Sequence, residues 1–164
     1  YEIEPGWIDF NNHFNMGYYT VLFDRASDEA YAVLGFGPDY KERTGFTTSA
    51  AEFHVTYLRE LKLGDRVRMD FRILDYDEKR FHTYQEMYHA DGWLAATGEC
   101  MALHVDVSGP KVAPIPSAIL ENLAAMKRKT DDLPMAGTVG RPIGLRRSGN
   151  RGTSLRCLYR APGA

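Results

Sequence analysis

The feature that most constrains the fold is a run of apolar residues with helical spacing near the start of the chain. Between residues 15 and 34 the apolar side chains recur three or four positions apart, at Tyr19, Leu22, Phe23, Ala26, Ala30, Val33 and Leu34. This spacing places them on one side of an α-helix. Asn15 is a candidate N-cap, and Gly35 and Pro38 end the pattern. The stripe is broad and rich in aromatic residues, so the helix is predicted to be buried against a sheet.

The middle of the chain changes to a period of two, which is typical of strands. From Val67 to Ile73 apolar residues alternate with charged ones, as in a half-buried strand. Further strand-like runs cover residues 51–58, 81–89 and 93–107. Ala90-Asp91-Gly92 is a hairpin signal between the last two runs. The alternation therefore predicts several antiparallel strands.

Shorter elements complete the predicted order. Residues 2–8 are predicted to form an extended arm and residues 38–45 a helical turn. A second helix is predicted from Ser117, which can cap it, and basic residues follow at its end. One long helix, a run of strands and a final helix predict an α+β fold, a curled antiparallel sheet wrapped around one central helix.

The composition excludes several classes of protein. The chain has 164 residues, which favours one domain, and its net charge of −2 gives no overall attraction to nucleic acid or to an anionic membrane. No apolar run approaches the ~20 residues that a membrane span needs. Two cysteines, Cys100 and Cys157, are too few for a disulfide framework, so a cytoplasmic protein is expected. We expect a folded domain at 1–130 and an irregular extension at 131–164, disordered toward its end.

A polar stretch lies directly before the long helix. Asp9, Asn11, His13 and Asn15 alternate there with other residues and would share one side of an extended segment. A helix start carries unpaired N–H groups and partial positive charge, so such side chains beside it could hold and polarise a carbonyl. Asp and Asn are also favoured in turns and caps for local reasons. Residue chemistry alone leaves both interpretations open.

The same stretch, Asp9-Phe10-Asn11-Asn12-His13-Phe14-Asn15, resembles the D-x-N-x-H-x-N signature of hotdog-fold acyl thioesterases. That group includes the 4-hydroxybenzoyl-CoA thioesterase-like enzymes and the plant acyl-carrier-protein thioesterases. A narrower resemblance, to the betainyl-CoA thioesterases that are encoded with or fused to carnitine dehydrogenase, rests on the runs Asp77–His82, Met87–Gly92, Ala96–Glu99 and Leu103–Asp106. The resemblance extends from about Trp7 to Leu145. Met16 departs from the plant-type pattern, which has a second Asn there.

The resemblance implies a hotdog fold and the hydrolysis of a small acyl-CoA thioester, with betainyl-CoA in carnitine breakdown as one candidate. It implies no cofactor beyond the CoA of the substrate. A lone curled sheet leaves open edges and a broad face, so a homodimer or homotetramer is expected. Asp9 is the first candidate for the catalytic carboxylate, as nucleophile or as base. His13 follows as base or as donor to the carbonyl, and Asn11 would orient the water or the carboxylate. Glu52 is a second-rank candidate, acting across a subunit boundary, and its alternative role is that of a solvated face residue.

Substrate binding is assigned to the region around the helix start. Backbone N–H groups of Met16 to Tyr19 would bind the thioester oxygen, and Gly17 would let the backbone approach it closely. The predicted substrate-binding residues are Trp7, Asn15, Met16, Gly17, Tyr18 and Tyr19. An aromatic box for a quaternary ammonium group could draw on Trp7, Tyr18, Tyr19, Tyr57 and Trp93. Basic residues near strand ends could meet the CoA phosphates, at Arg59, Lys62, Arg66, Arg68, Lys79 and Arg80.

Alternatives remain at this point. Glu52 and His54 could join Asp9 and His13 in a metal site, but the spacing does not match a zinc motif, so no metal is predicted. A non-catalytic acyl-CoA-binding or assembly module is one other function, and hydration of an enoyl-CoA is another. The sequence leaves open the acyl group, the choice between CoA and a carrier protein, and the choice between nucleophile and general base.

Overall fold

The structure is a computed structural model that describes residues 1–109 and 111–145. Its helices are α1 (Met16–Leu34), α2 (Pro38–Thr44) and α3 (Ser117–Arg128), with a 3-10 turn at Pro5–Trp7. Its strands are β1 (Phe46–Tyr57), β2 (Val67–Tyr76), β3 (Arg80–His89), β4 (Leu94–Asp106) and β5 (Lys111–Val112). The strands form one antiparallel sheet in the order β1-β4-β3-β2, and β5 pairs with the end of β4. Within the described ranges, no helix is long and apolar enough to cross a membrane.

Helix α1 packs on one face of the sheet, here called the inner face, as its apolar stripe predicts for Tyr19, Leu22, Phe23, Ala26 and Leu34. Val33, also predicted to be on that stripe, is 74% exposed because it lies to the side of the buried face. Its N-cap is Asn15, as expected, and its C-cap Gly35 takes the left-handed conformation at φ 102°. Phe23 is fully buried. A Cβ atom on Gly98 of β4 would lie only 3.0 Å from the Phe23 ring, which is too close. A glycine at position 98 therefore lets the helix approach the sheet closely.

The core has two parts along α1. Around the start of the helix it contains Trp7, Phe14, Tyr19, Leu22, Phe23, Leu61 and Met87. Around the end of the helix it contains Leu34, Phe36, Tyr40, Phe81, Ile115 and Leu123. The first cluster includes residues from both ends of the polar loop, so the packing of the core also holds that loop in place.

Two local predictions are wrong. Pro116, not Ser117, occupies the N-cap of α3, and no side chain caps that helix. The predicted extended arm is reduced to an isolated bridge between Glu2 and Arg66, because Pro5 starts a 3-10 turn. Arg72 lies on the outer face of β2, in agreement with the alternation, and the structure shows in addition that only 8% of it is exposed.

Arg72 is buried because the chain covers its own sheet. Residues 134–140, the covering segment, lie on the outer face, where Arg72 Nη1 donates to the Pro134 carbonyl at 3.4 Å. The Tyr84 hydroxyl and Thr138 Oγ1 are 2.6 Å apart, and the Gly140 amide donates to Glu99 Oε2 at 2.9 Å. The extension is irregular here, as predicted, but it packs against the domain. The domain boundary at residue 130 stays a prediction, and the predicted disorder concerns residues 146–164, outside the described residues.

Candidate active site

The polar loop before α1 is a small hairpin closed on itself. Ile8 pairs with Phe14, and the Asp9 amide donates to the His13 carbonyl at 2.9 Å. The Asn15 amide donates to the Trp7 carbonyl, also at 2.9 Å. Asn12 turns the chain with φ at 62°, a conformation that Asn adopts more readily than most residues. Asp9 is therefore fixed opposite His13, at the base of the loop that leads into the helix.

The Asp9 carboxylate has one engaged oxygen and one open oxygen. Its Oδ1 accepts the Asn11 amide at 2.8 Å and the His13 amide at 3.1 Å. Its Oδ2 has no hydrogen-bond partner in the part of the chain that the structure describes, and the side chain is half-buried. The turn-forming role is thus real, and it leaves the second oxygen available for chemistry.

The start of α1 is exposed beside this loop. Asn15 Oδ1 accepts the Gly17 amide at 2.9 Å and its carbonyl accepts the Tyr18 amide at 3.0 Å. The Met16 amide donates to no group within the described residues, and 68% of Met16 is exposed. A Cβ on Gly17 would meet only Asn15 Oδ1, at 3.3 Å, so the backbone there is open. Of the amides predicted to bind a thioester oxygen, that of Met16 is the most available.

His13 has a partner that sequence reasoning missed. Its Nε2 lies 2.5 Å from Oε1 of Glu60, and the two side chains are 37% and 40% exposed. The backbone supports the contact, since the Phe14 amide donates to the Leu61 carbonyl at 3.0 Å. No local signal marks Glu60, because it lies in the segment after β1 and meets the loop only in the folded chain.

The other predicted polar residues differ in position. Asn11 is exposed in the loop, next to Asp9. Glu52 is not brought to the loop within one chain. Its neighbour Phe53 contacts Phe23 on the inner face with ring centroids 5.8 Å apart, so Glu52 points to the outer face and is exposed. Alternation along β1 separates Glu52 from the helix start.

The predicted aromatic box does not form as one group. Trp7 is only 8% exposed, stacks on Tyr18 at 5.7 Å, and has the Arg25 guanidinium 5.4 Å from its ring centroid. Tyr19 is buried, and that burial raises the pKa of its hydroxyl to about 12. Tyr57 is 44% exposed, and its hydroxyl donates to the Met16 carbonyl at 3.4 Å. Tyr57 is therefore the member with an open face beside the helix start.

The site is an open surface in a single chain. Two surface cavities, of about 300 and 480 Å³, lie elsewhere, beside the start of β3 and between α1 and β2. Among residues 1–109 and 111–145 no cluster of three or more His, Cys, Asp or Glu side chains could hold a metal ion. The absence of a metal stays a prediction.

A polar loop at the start of a central helix, on an antiparallel sheet, is the arrangement that the resemblance to hotdog-fold thioesterases implies. The family model of the thioesterase-like superfamily matches residues 3–123, and the chain belongs to that superfamily. At the level of individual proteins, the chain is 33% identical over 142 residues to the betainyl-CoA thioesterase of Pseudomonas aeruginosa, covering 86% of this chain and 89% of that protein. It is 32% identical over 121 residues to the L-carnitine dehydrogenase/betainyl-CoA thioesterase of Agrobacterium fabrum, 74% of this chain but 25% of that protein.

Solved structures agree with the family. A Staphylococcus aureus protein solved in complex with CoA superposes with a TM-score of 0.85 at 26% identity, over 89% of this chain and 92% of its own. A candidate thioesterase of Pseudomonas putida superposes with a TM-score of 0.77 at 28% identity, over 90% of this chain and 94% of its own. The predictions of a hotdog fold and of an acyl-CoA thioesterase are confirmed.

Proposed function

We propose that the protein hydrolyses betainyl-CoA or a closely related small acyl-CoA thioester to the free acid and CoA, with Asp9 as the catalytic carboxylate. The observation that supports the proposal is that the two oxygens of the Asp9 carboxylate have different surroundings. Oδ1 is tied to the amides of Asn11 and His13, while Oδ2 is open. A carboxylate fixed in this way keeps its orientation without using up its basic oxygen.

The chemistry follows from this arrangement. As general base, Asp9 Oδ2 accepts a proton from water while the water oxygen bonds to the thioester carbon; as nucleophile, Oδ2 bonds to that carbon itself and water later cleaves the anhydride. In both routes the C–S bond breaks and the sulfur leaves as the CoA thiolate, which takes up a proton. The Met16 amide and the positive end of α1 stabilise the negative oxygen that develops on the carbonyl.

Two neighbouring side chains assist. His13, oriented by Glu60 at 2.5 Å, supplies a donor toward the carbonyl or a second base. Asn11 lies beside the carboxylate and orients the attacking water. The reaction as proposed uses residues of one chain and leaves out Glu52, which points to the outer face of that chain's own sheet. A role of Glu52 across a subunit boundary is tested by Glu52→Gln.

The acyl group is proposed from the relatives and from Tyr57. A quaternary ammonium group binds to the face of an aromatic ring, and Tyr57 offers a half-exposed ring next to Met16.

Replacing Tyr57 with Leu should lower kcat/KM for betainyl-CoA by about 3- to 30-fold. Acetyl-CoA, which has no cation, should be hydrolysed at nearly the wild-type rate. The matched control is Tyr57→Phe, which keeps the ring and should retain most of the preference; an equal loss on both substrates in the Leu variant would contradict this assignment.

The acting unit is proposed to be a homodimer or homotetramer. Strand β1 is an edge of the sheet, and exposed small residues line part of it, at Ser49, Ala50 and Ala51. Pairing with a second copy along this edge would satisfy its free backbone groups and would add a wall to the open site near Tyr57. We also propose a cytoplasmic location, because two cysteines are too few for the disulfide framework typical of small secreted proteins.

The experiment is a thiol-release assay with betainyl-CoA, neutral short acyl-CoAs and an enoyl-CoA. Thiol release with betainyl-CoA as the preferred substrate is the expected result. Tight binding of every thioester without thiol release would favour a non-catalytic module. Loss of the enoyl absorbance without free thiol would favour a hydratase. Either of these two outcomes contradicts the proposal.

A further inference from the structure

A layered stack of three planar side chains lies at the end of β1 and the β3–β4 hairpin. The Arg59 guanidinium carbon is 4.0 Å from the centroid of the Trp93 ring. The His89 ring stacks on the same indole at 4.4 Å between centroids, with the planes 11° apart. Two groups this near to one centroid cannot share a face of the ring, so the indole lies between them. The mechanism proposed above does not use this stack.

The stack is held rigidly by the backbone on both sides. In the hairpin, the His89 amide donates to the Trp93 carbonyl at 2.9 Å, and the Asp91 amide donates to His89 Nδ1 at 3.0 Å. On the other side, the amides of Leu58 and Arg59 both donate to the Ala95 carbonyl, at 2.8 and 2.9 Å. The backbone at Arg59 is therefore fixed, and the contact with the Trp93 ring sets the position of the guanidinium.

Among the basic side chains near the strand ends, Arg59 and Lys62 have no carboxylate partner within the described residues, and of the two only Arg59 is supported by an aromatic ring. Four of those side chains lie near carboxylates, in the pairs Arg66–Glu2 at 3.9 Å, Arg68–Asp70 at 2.9 Å, Lys79–Glu78 at 3.3 Å and Arg80–Asp77 at 2.6 Å. The Arg59 side chain forms no ion pair or hydrogen bond within residues 1–109 and 111–145, and the adjacent Glu60 is engaged by His13. Arg59 is exposed, so its charge is available to a ligand.

We propose that Arg59, supported by Trp93, binds a phosphate group at the nucleotide end of CoA. This inference rests on the proposed function, since it names a binding residue for that substrate. A guanidinium presents a planar fork of donors that matches a phosphate with two parallel hydrogen bonds. An aromatic support leaves those donors free at the edge of the fork while it fixes the plane.

The position of Arg59 links the phosphate to the reacting end of the substrate. One short segment, Leu58 to Leu61, carries Arg59, the His13 partner Glu60, and the carbonyl that accepts the Phe14 amide. A CoA molecule held at Arg59 is therefore held by the same piece of chain that orients the polar loop. The phosphate contact should act on substrate affinity and leave the chemical step unchanged.

The test compares wild-type protein with Arg59→Met, which keeps the aliphatic stem and removes the charge. For the best acyl-CoA of the panel, Arg59→Met should raise KM about 10-fold or more and leave kcat within twofold. With the matching acyl-pantetheine, which lacks the nucleotide phosphates, the two proteins should have equal kcat/KM. The control variant is Arg128→Met, which removes an exposed charge on α3 and should change neither value.

Calorimetric titration with CoA, dephospho-CoA and pantetheine identifies the phosphate. Weaker binding of CoA alone assigns the 3′-phosphate to Arg59, and equally weakened binding of CoA and dephospho-CoA assigns the diphosphate. Unchanged CoA binding and KM in Arg59→Met overturn the inference, as does an equal loss with acyl-pantetheine. If wild-type protein releases no thiol from any thioester, the proposed function fails, and the CoA titrations alone still decide the role of Arg59.

Discussion

Replacement of Asp9 by Asn separates the two roles of this side chain. The amide oxygen of Asn can take the place of Oδ1 and accept the amides of Asn11 and His13, which lie at 2.8 and 3.1 Å in the native loop. The open oxygen, however, is replaced by an NH2 group, which neither attacks a carbonyl nor accepts a proton at neutral pH. Asp9→Asn should therefore keep the loop and lose the chemistry.

The magnitudes can be set from the contacts. Loss of a general base lowers kcat by about 10²- to 10⁴-fold, and kcat of Asp9→Asn should fall at least to the lower end of that range. Asp9→Ala also removes the acceptor of two loop hydrogen bonds, at about 0.5–1 kcal/mol each at a partly exposed site. The total of about 1–2 kcal/mol corresponds to a Tm lower by about 2–8 °C for a chain of this length. Asp9→Asn should lie within about 2 °C of wild type.

The assay pairs thiol release under saturating acyl-CoA with a thermal unfolding scan of the same samples. Phe10→Ala serves as the control, because Phe10 is 93% exposed in the same loop and its side chain has no polar atom that could take part in the loop hydrogen bonds. A folded Asp9→Asn protein with wild-type kcat would remove Asp9 from the mechanism. A Tm of Asp9→Ala equal to that of wild type would show that the two loop hydrogen bonds contribute no stability.

Three further predictions follow from packing and burial. Gly98→Ala places a methyl group 3.0 Å from the Phe23 ring and should destabilise the fold by about 1–3 kcal/mol, measured by urea unfolding. Burial raises the pKa of the Cys100 thiol to about 11, so in a Cys157→Ser protein an alkylating reagent at pH 8 should label Cys100 only after denaturant is added. Labelling of the native protein at the denatured rate would contradict that burial. Glu52→Gln should leave kcat/KM within about twofold, since this carboxylate points away from the helix start; a loss above 10² would restore it as a catalytic residue.

The elements that sequence periodicity could predict are those whose own residues decide their structure. The stripe of α1 is long enough to specify the buried face, and Asn15 and Gly35 mark both ends with caps that act within a few residues. The alternation in β2 is equally local. Ser117 illustrates the limit, because a good cap residue there is displaced by Pro116, whose fixed backbone angle already suits the residue before a helix.

The features that could not be predicted depend on contacts between distant parts of the chain. From the sequence alone, Arg72 would be interpreted as a solvated residue. In the fold it is covered by the covering segment, which lies about 60 residues later in the sequence. Glu60 belongs to no sequence motif, and it meets His13 next to the hydrogen bond between the Phe14 amide and the Leu61 carbonyl, a contact between distant parts of the chain. A shift in register between Ala50 and Glu52 shows that even strand alternation is interrupted by a bulge that the sequence does not mark.

The way Thr138 and Gly140 lie over the back of the sheet has a practical consequence for anyone who shortens this protein. A version that stops near residue 130 would uncover the Tyr84 hydroxyl and the Arg72 guanidinium together and take away the amide that Glu99 holds. The exposed outer face of the sheet would then favour association with other protein molecules. A shortened version should therefore retain the chain through Gly140.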